Sequence, residues 1–243
     1  MPYRKEKFIT DEFYHVVLRG IDGKKLFKDI GDHYRGIFSI YEFNNAEHVA
    51  IKDRRKARVR FKKILKEAKE NPPPFVDSRD KLVEVLAFCI MPNHLHLLLR
   101  QLQDEGIFKF MKKLGSGYGR YFNTKYDRKG YVFQSRFVSV RIKNDNQLKV
   151  VFAYIHSNPV SLIIPKWKER GIKNLEKVIK FIENYKWSSY QDYIGKQNFP
   201  SVAEREFLLE TIGGENGCRL FMKDWLEYRG KVKEEKFNEL MLE

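Results

Sequence analysis

Three features of the chain predict an α+β sandwich: four short apolar runs with strand character, helical periodicity between them, and enough apolar residues for one sizeable core. The chain has 243 residues, 42% of them hydrophobic and 33% charged, the balance of a folded protein rather than a disordered one. Residues 13–19 (FYHVVLR) read as a first strand, ended by Gly20 and the turn-forming Asp22-Gly23. Segments 30–42 and 57–68 read as helices, the second with Val59, Ile64, Leu65 and Ala68 at helical spacing. Asn71-Pro72-Pro73-Pro74 stops that helix and forms a stiff connector. Residues 82–90 (LVEVLAFCI) form a buried second strand and 94–100 (HLHLLLR) a third, with Met91-Pro92-Asn93 as the turn between them. A helix follows over 106–123, weakened by Gly115, Gly117 and Gly119. Alternation over 131–142 predicts the fourth strand. Asp145 is expected to cap a helix running to Ser157, and Pro159 restricts the backbone around it.

The order is β-α-β-β-α-β followed by a helix. That is a ferredoxin-like sandwich, predicted with one sheet face covered by helices and the other left free. Residues after about Ser161 are amphipathic and helical and read as an extension wrapped on the core, so the expected division is a domain over 1–160 and a helical C-terminal extension over 161–243. The chain contains no internal repeat and no low-complexity tract.

No apolar run approaches the roughly 18 residues that cross a bilayer. The N-terminal MPYRKEKFIT lacks the apolar core of a signal peptide. Two cysteines, Cys89 and Cys218, build neither a disulfide framework nor a zinc ribbon. The expectation is a cytoplasmic protein with both thiols packed and no membrane partner.

Charge gives the first functional clue. Forty-seven Lys and Arg against 32 Asp and Glu leave a formal +15, which suits a polyanionic partner. The surplus concentrates between Ile51 and Glu70, where ten basic residues face three acidic ones. Arg54, Arg55, Lys56 and Arg58 are the candidate nucleic-acid contacts there; the alternative is a solvated helix face. Aromatic residues, 14% of the chain, suit stacking on unpaired bases, although most serve the core.

The sharpest local signal is Met91-Pro92-Asn93-His94-Leu95-His96-Leu97-Leu98-Leu99. Side chains alternate along a strand, so His94 and His96 leave one face while Leu95 and Leu97 leave the other. Two neutral imidazoles so spaced can grip one divalent ion. Taken alone, the pair equally describes two polar residues on a half-exposed strand.

The wider context resembles the HUH nucleases, and within them the REP-associated tyrosine transposases of the insertion-sequence-200-like single-tyrosine family. The resemblance spans roughly Phe8 to Tyr190. It starts at Tyr14-His15-Val16 and Arg19-Gly20, then takes in MPNHLHLLL and Tyr118-Gly119-Arg120-Tyr121-Phe122-Asn123. It continues through Phe133-Gln134-Ser135-Arg136-Phe137, Tyr154-Ile155-His156-Ser157-Asn158-Pro159-Val160 and Trp187-Ser188-Ser189-Tyr190. Residues 1–160 would then be the HUH endonuclease domain.

The resemblance implies Tyr154 as nucleophile, since the family places it on the helix after the fourth strand and just before Asn-Pro. It implies that Asn158 joins His94 and His96 on a divalent metal, Mg or Mn. Asn158 is one turn beyond Tyr154 and on about the same side of a helix; its other reading is a C-cap. Arg136 and Gln134 are candidate DNA contacts, with Arg136 equally able to pair a carboxylate within the fold. The implied reaction is cleavage and rejoining of single-stranded, hairpin-bearing repeat DNA through a 5′-phosphotyrosine, by a monomer or a homodimer. A tyrosine hydroxyl, with pKa about 10, needs its phenolate stabilised before it attacks at neutral pH. No GxxxxGK[ST] loop is present, in keeping with chemistry that needs no ATP. A hairpin-binding protein that no longer cuts is the alternative. A replication initiator or relaxase of the same chemistry is a third reading, weakened by the lack of paired tyrosines and of further domains.

Overall fold

The computed structural model describes residues 7–67, 77–134 and 137–229. The first strand, β1, is Phe13–Arg19, as its alternation predicts. Two helices follow, α1 (Ile30–Phe43) and α2 (Ile51–Glu67), then the hairpin β2 (Val83–Met91) and β3 (His94–Gln101). Next come α3 (Gly106–Lys125), β4 (Val138–Ile142) and α4 (Asp145–Ser157). The strands form one antiparallel sheet in the order β2-β3-β1-β4. That is ferredoxin-like topology, with β1 and β3 central and the helices α1 and α3 crossing on one face.

The first face is an apolar layer. Tyr14, Val16 and Leu18 of β1 and Leu95, Leu97 and Leu99 of β3 pack with Phe110, Met111, Leu114, Tyr118 and Phe122 of α3 and with Ile37 and Ile40 of α1. Helix α3 is continuous despite its three glycines, and Gly117 explains why one of them is needed. A Cβ there would collide with the ring of Phe43, so the missing side chain lets α1 and α3 approach closely. At the other end of α1, the Asp29 side chain caps the helix by accepting from Asp32 N at 2.9 Å. Buried Asp32 in turn accepts from Lys125, Tyr121 and Tyr126 of the α3 end at 2.6–3.0 Å.

The second face corrects the sequence expectation, because it is not free. Helix α4 crosses it, and the chain beyond Pro159 completes a second core through α5 (Val160–Ile163), α6 (Trp167–Arg170), α7 (Leu175–Asn184), α8 (Tyr190–Tyr193), α9 (Glu206–Ile212) and α10 (Gly214–Arg229). Leu86, Ala87, Cys89, Met91 and Leu98 of the sheet meet Phe152 of α4 and Trp167, Ile182, Tyr193, Met222 and Leu226 in one cluster. A β-bulge between Val85 and Ala87 turns β2 so that both faces stay filled. Tyr193 OH donates to Leu86 O at 2.5 Å, and Trp225 Nε1 donates to Ser157 Oγ at 3.1 Å, fastening this layer to the sheet and to the end of α4.

Two further expectations are corrected. The fourth strand starts at Val138 rather than 131; before it, Phe133 makes only an isolated bridge to Gly20. The cap of α4 is Asn144, whose side chain accepts from Gln147 N at 2.9 Å, with Asp145 in the first turn. The Trp187-Ser188-Ser189-Tyr190 block has a structural role. Ile90 N donates to Trp187 O and Ser189 N to Phe88 O, at 2.8 and 3.0 Å, so this strap covers the outer edge of β2. The expected Pro-rich connector at 71–74 lies outside the described residues.

Candidate active site on the second sheet face

His94 opens β3 opposite Arg19 of β1 and Met91 of β2, and His96 lies opposite Val17 and Cys89. Both histidines face α4, as period-two alternation predicts, while Leu95 and Leu97 fill the first core. The Pro92-Asn93 turn is held by its carbonyls: Leu26 N and Phe27 N donate to Pro92 O at 2.7 and 3.0 Å, and Gly20 N to Asn93 O at 2.8 Å. Gly20 is required for this closeness, since a Cβ would sit 2.5 Å from Lys24 O and 3.2 Å from Asn93 O. Asn93 does more than turn the chain. Its Oδ1 lies 2.7 Å from Nδ1 of His94, and an amide oxygen only accepts, so Nδ1 carries the proton and Nε2 presents a lone pair.

Tyr154 reaches the same place from α4. Its ring centroid is 5.6 Å from that of His96, edge-on at 85°, and His94 lies 4.7 Å from His96. The sequence-predicted nucleophile and both histidines therefore share one cluster. His15 of β1 joins them, 5.6 Å from Tyr154 and stacked 5.2 Å from His96, with Nε2 3.0 Å from Nδ1 of His96. The strand signal contained His15, but nothing in the spacing assigned it a task. Lys168 of α6 was also missed; its Nζ lies 4.8 Å over the ring of Tyr154.

The cluster is closed off. His15 and His96 are fully buried and Tyr154 is 1% exposed, while His94 is half-buried. Burial, with the neighbouring His94, His15, Arg19 and Lys168, holds the imidazole of His96 well below its usual pKa and hence neutral. Its Nε2 is buried with no hydrogen-bond partner in the structure. A neutral, buried imidazole nitrogen without a hydrogen-bond partner, beside the second ring of the H-x-H pair, fits a divalent cation. Among the described residues no group of three His, Cys, Asp or Glu side chains assembles as a metal cage, so such a cation would also need an amide or phosphate oxygen.

Asn158 sits at the end of α4 with helical φ −52° and ψ −40°, and its Nδ2 donates to Tyr154 O at 2.8 Å. That amide nitrogen acts as a cap, leaving Oδ1 as the atom suited to a cation. His156 leaves the cluster: its Nε2 is 2.8 Å from Ser189 Oγ, within the second core. Gln134 is exposed, and its backbone N donates to Arg19 O at 2.8 Å, beside the strand end opposite His94. Arg136 lies outside the described residues. The basic helix α2 is not part of the cluster; its Arg54, Ala57 and Phe61 face α1 across a cavity also lined by Tyr34 and Phe38. Arg54 is 3.4 Å from the carboxylate of buried Glu42, whereas Lys56 and Arg60 are exposed. Arg55 and Arg58 belong to the same helix.

The fold and the cluster define a ferredoxin-like domain that presents paired strand histidines to a helix tyrosine. Residues 44–158 match the family model described as "Transposase IS200 like". Among solved structures, the chain is similar to a REP-associated tyrosine transposase bound to a REP hairpin, at 15% identity over 85% of this chain and 92% of that one, with a TM-score of 0.43. It is also similar to a candidate transposase from Deinococcus radiodurans R1, at 14% identity over 62% of this chain and 93% of that one, with a TM-score of 0.26. No curated protein matches the chain. Among the described residues, no helix is long and apolar enough to cross a membrane.

Proposed function

We propose that this chain is a metal-dependent single-strand DNA transesterase acting on hairpin-bearing repeats, with Tyr154 as nucleophile. The observation that carries the reading is the convergence of His94, His96 and Tyr154 from two separate elements into one cluster with ring centroids within 5.6 Å of their neighbours. The phenol oxygen of Tyr154 attacks the scissile phosphorus, the P–O3′ bond breaks, and the 3′-oxygen takes up a proton while the phenol gives one to solvent. One ester replaces another, so the reverse reaction with a new 3′-OH joins strands without ATP. His94, His96 and Oδ1 of Asn158 would hold a divalent ion, Mg or Mn, which when bound supplies neutralisation of charge on the phosphate oxygens. Lys168, over the Tyr154 ring, adds positive charge where the phenolate develops. Gln134, Arg136 and the exposed cations of α2 are proposed DNA contacts, the last on the opposite side of the sheet. At 1% exposure the Tyr154 ring meets a phosphate only after the covering chain shifts.

That same burial favours a second reading, a hairpin-binding protein that does not cut. Incubation with end-labelled hairpin DNA and Mg2+ or Mn2+ separates the two. The transesterase reading predicts a protein–DNA band that survives denaturation and disappears with chelator. Binding without such a band, on any hairpin and with either metal, supports the second reading.

A further inference from the structure

We propose that His15 is the positioning residue of the site: by accepting a hydrogen bond from Nδ1 of His96, it fixes that ring in the tautomer whose Nε2 can ligate a divalent cation. The inference rests on the metal-dependent reading above and deepens it. His15 pairs with Leu98 across the β1–β3 ladder and His96 with Val17, so the two histidines are diagonal neighbours on one face. Both are fully buried, their ring planes differ by 19°, and the facing nitrogens are 3.0 Å apart.

One proton is shared across that gap, and its owner decides what His96 can do. A neutral imidazole carries a single N–H. If Nε2 of His15 donates, His96 must hold its own proton on Nε2. That nitrogen is buried with no hydrogen-bond partner, so the N–H would point at nothing and would block a cation. If Nδ1 of His96 donates, its Nε2 presents a lone pair into the cluster. His94 is set the same way by a different device, the Oδ1 of Asn93 at 2.7 Å from its Nδ1. The two rings are thus oriented by side chains from the preceding turn and from the adjacent strand, the arrangement that makes metal-binding imidazoles rigid and basic. His15 also lies edge-on to Tyr154 at 5.6 Å and 75°, so it spaces the phenol from the His96 ring as well. Packing alone does not call for an imidazole here: the next residue of β1 on the same face is Val17, which is fully buried.

The test begins without metal or DNA. In 15N-histidine-labelled wild type, long-range imidazole correlations should show His96 protonated on Nδ1 and bare on Nε2; protonation on Nε2 overturns the proposal. Mn2+ affinity, read by calorimetry and electron paramagnetic resonance, should fall about 10- to 100-fold in His15→Leu. His15→Gln keeps an acceptor near the same point and should recover most of that loss, a rescue that a merely space-filling role would not give. Should His15→Leu fail to fold, the wild-type tautomer and the His15→Gln affinity still decide. A folded His15→Leu that binds Mn2+ as the wild type does overturns the role of His15 and leaves the transesterase reading intact. Wild type that takes up no Mn2+ while His96 shows the stated tautomer overturns the metal-dependent reading instead.

Discussion

The two faces of the central sheet are built from the same strands and do different work. On the α1–α3 face, Val16, Leu18, Leu95, Leu97 and Leu99 meet an apolar layer, and their side chains ask only for volume. On the α4 face the alternate residues of those strands, His15, His94 and His96, bring nitrogen atoms beneath a helix that carries Tyr154. Burying polar rings is costly unless they are hydrogen-bonded. Here the cost is met by Asn93 for His94 and by the His15–His96 pair, leaving Nε2 of His96 as the exception. The lesson is that one period-two pattern lays out the apolar core and the proposed site together, so a one-residue slip of β3 would exchange one for the other.

Substitutions on the two faces should therefore separate. The largest effect is expected for His94→Ala or His96→Ala, each abolishing DNA cleavage in a gel assay while hairpin affinity stays within a few-fold, because affinity comes mainly from contacts to phosphate. Full activity of the double variant with added Mg2+ or Mn2+ breaks the comparison. Leu97→Ala should do the reverse. It should cost about 2–5 kcal/mol in denaturant unfolding, with cleavage per folded molecule unchanged. A smaller effect is expected from the basic helix. Replacing Lys56, Arg58 and Arg60 by Gln should reduce the log–log salt slope of hairpin binding by roughly 0.7 for each single-strand phosphate no longer neutralised. An unchanged slope identifies α2 as a solvated face.

The smallest effect lies at the periphery, where hydrogen bonding from the Arg79 side chain holds the Asp77 carboxyl down to about 2. A depressed carboxyl stabilises the fold fully above its unfolded value near 3.8, and the contribution is lost as pH falls through about 2. Asp77→Asn should lower the melting temperature slightly at pH 7 and by distinctly less near pH 2. An equal difference at both pH values argues against the pair.

Much of this was legible in the sequence because strand alternation is local. Residues 13–19, the H-x-H pair and the length of α4 follow from patterns a few residues wide. What failed was long-range. The covering of the second face depends on Trp167, Tyr193 and Leu226 meeting Leu86 and Leu98, contacts that no local period reports. His15 and Lys168 enter the cluster for the same reason: a strand 81 positions away in the chain from His96, and a one-turn helix, converge on it only in the fold. The β1–β4 ladder ends where Val138 pairs with Val17, and nearer the start of the segment Gln134 N bonds Arg19 O, Phe133 bridges Gly20 and Ile21 N bonds Val132 O, contacts that no alternation of the sequence reports.

The central claim is that the α4 face is one reactive site whose nucleophile is Tyr154. Peptide mass mapping of the denaturation-resistant adduct, formed on hairpin DNA with Mn2+, addresses it most directly. The nucleotide should sit on the peptide containing Ala153-Tyr154-Ile155, and Tyr154→Phe, which removes one oxygen and almost no volume, should bind hairpin and Mn2+ but form no adduct. Tyr118 and Tyr121 donate to Leu26 O and to Asp32 on the other side of the sheet. A nucleotide on either of them, or an adduct that persists in Tyr154→Phe, would contradict the account.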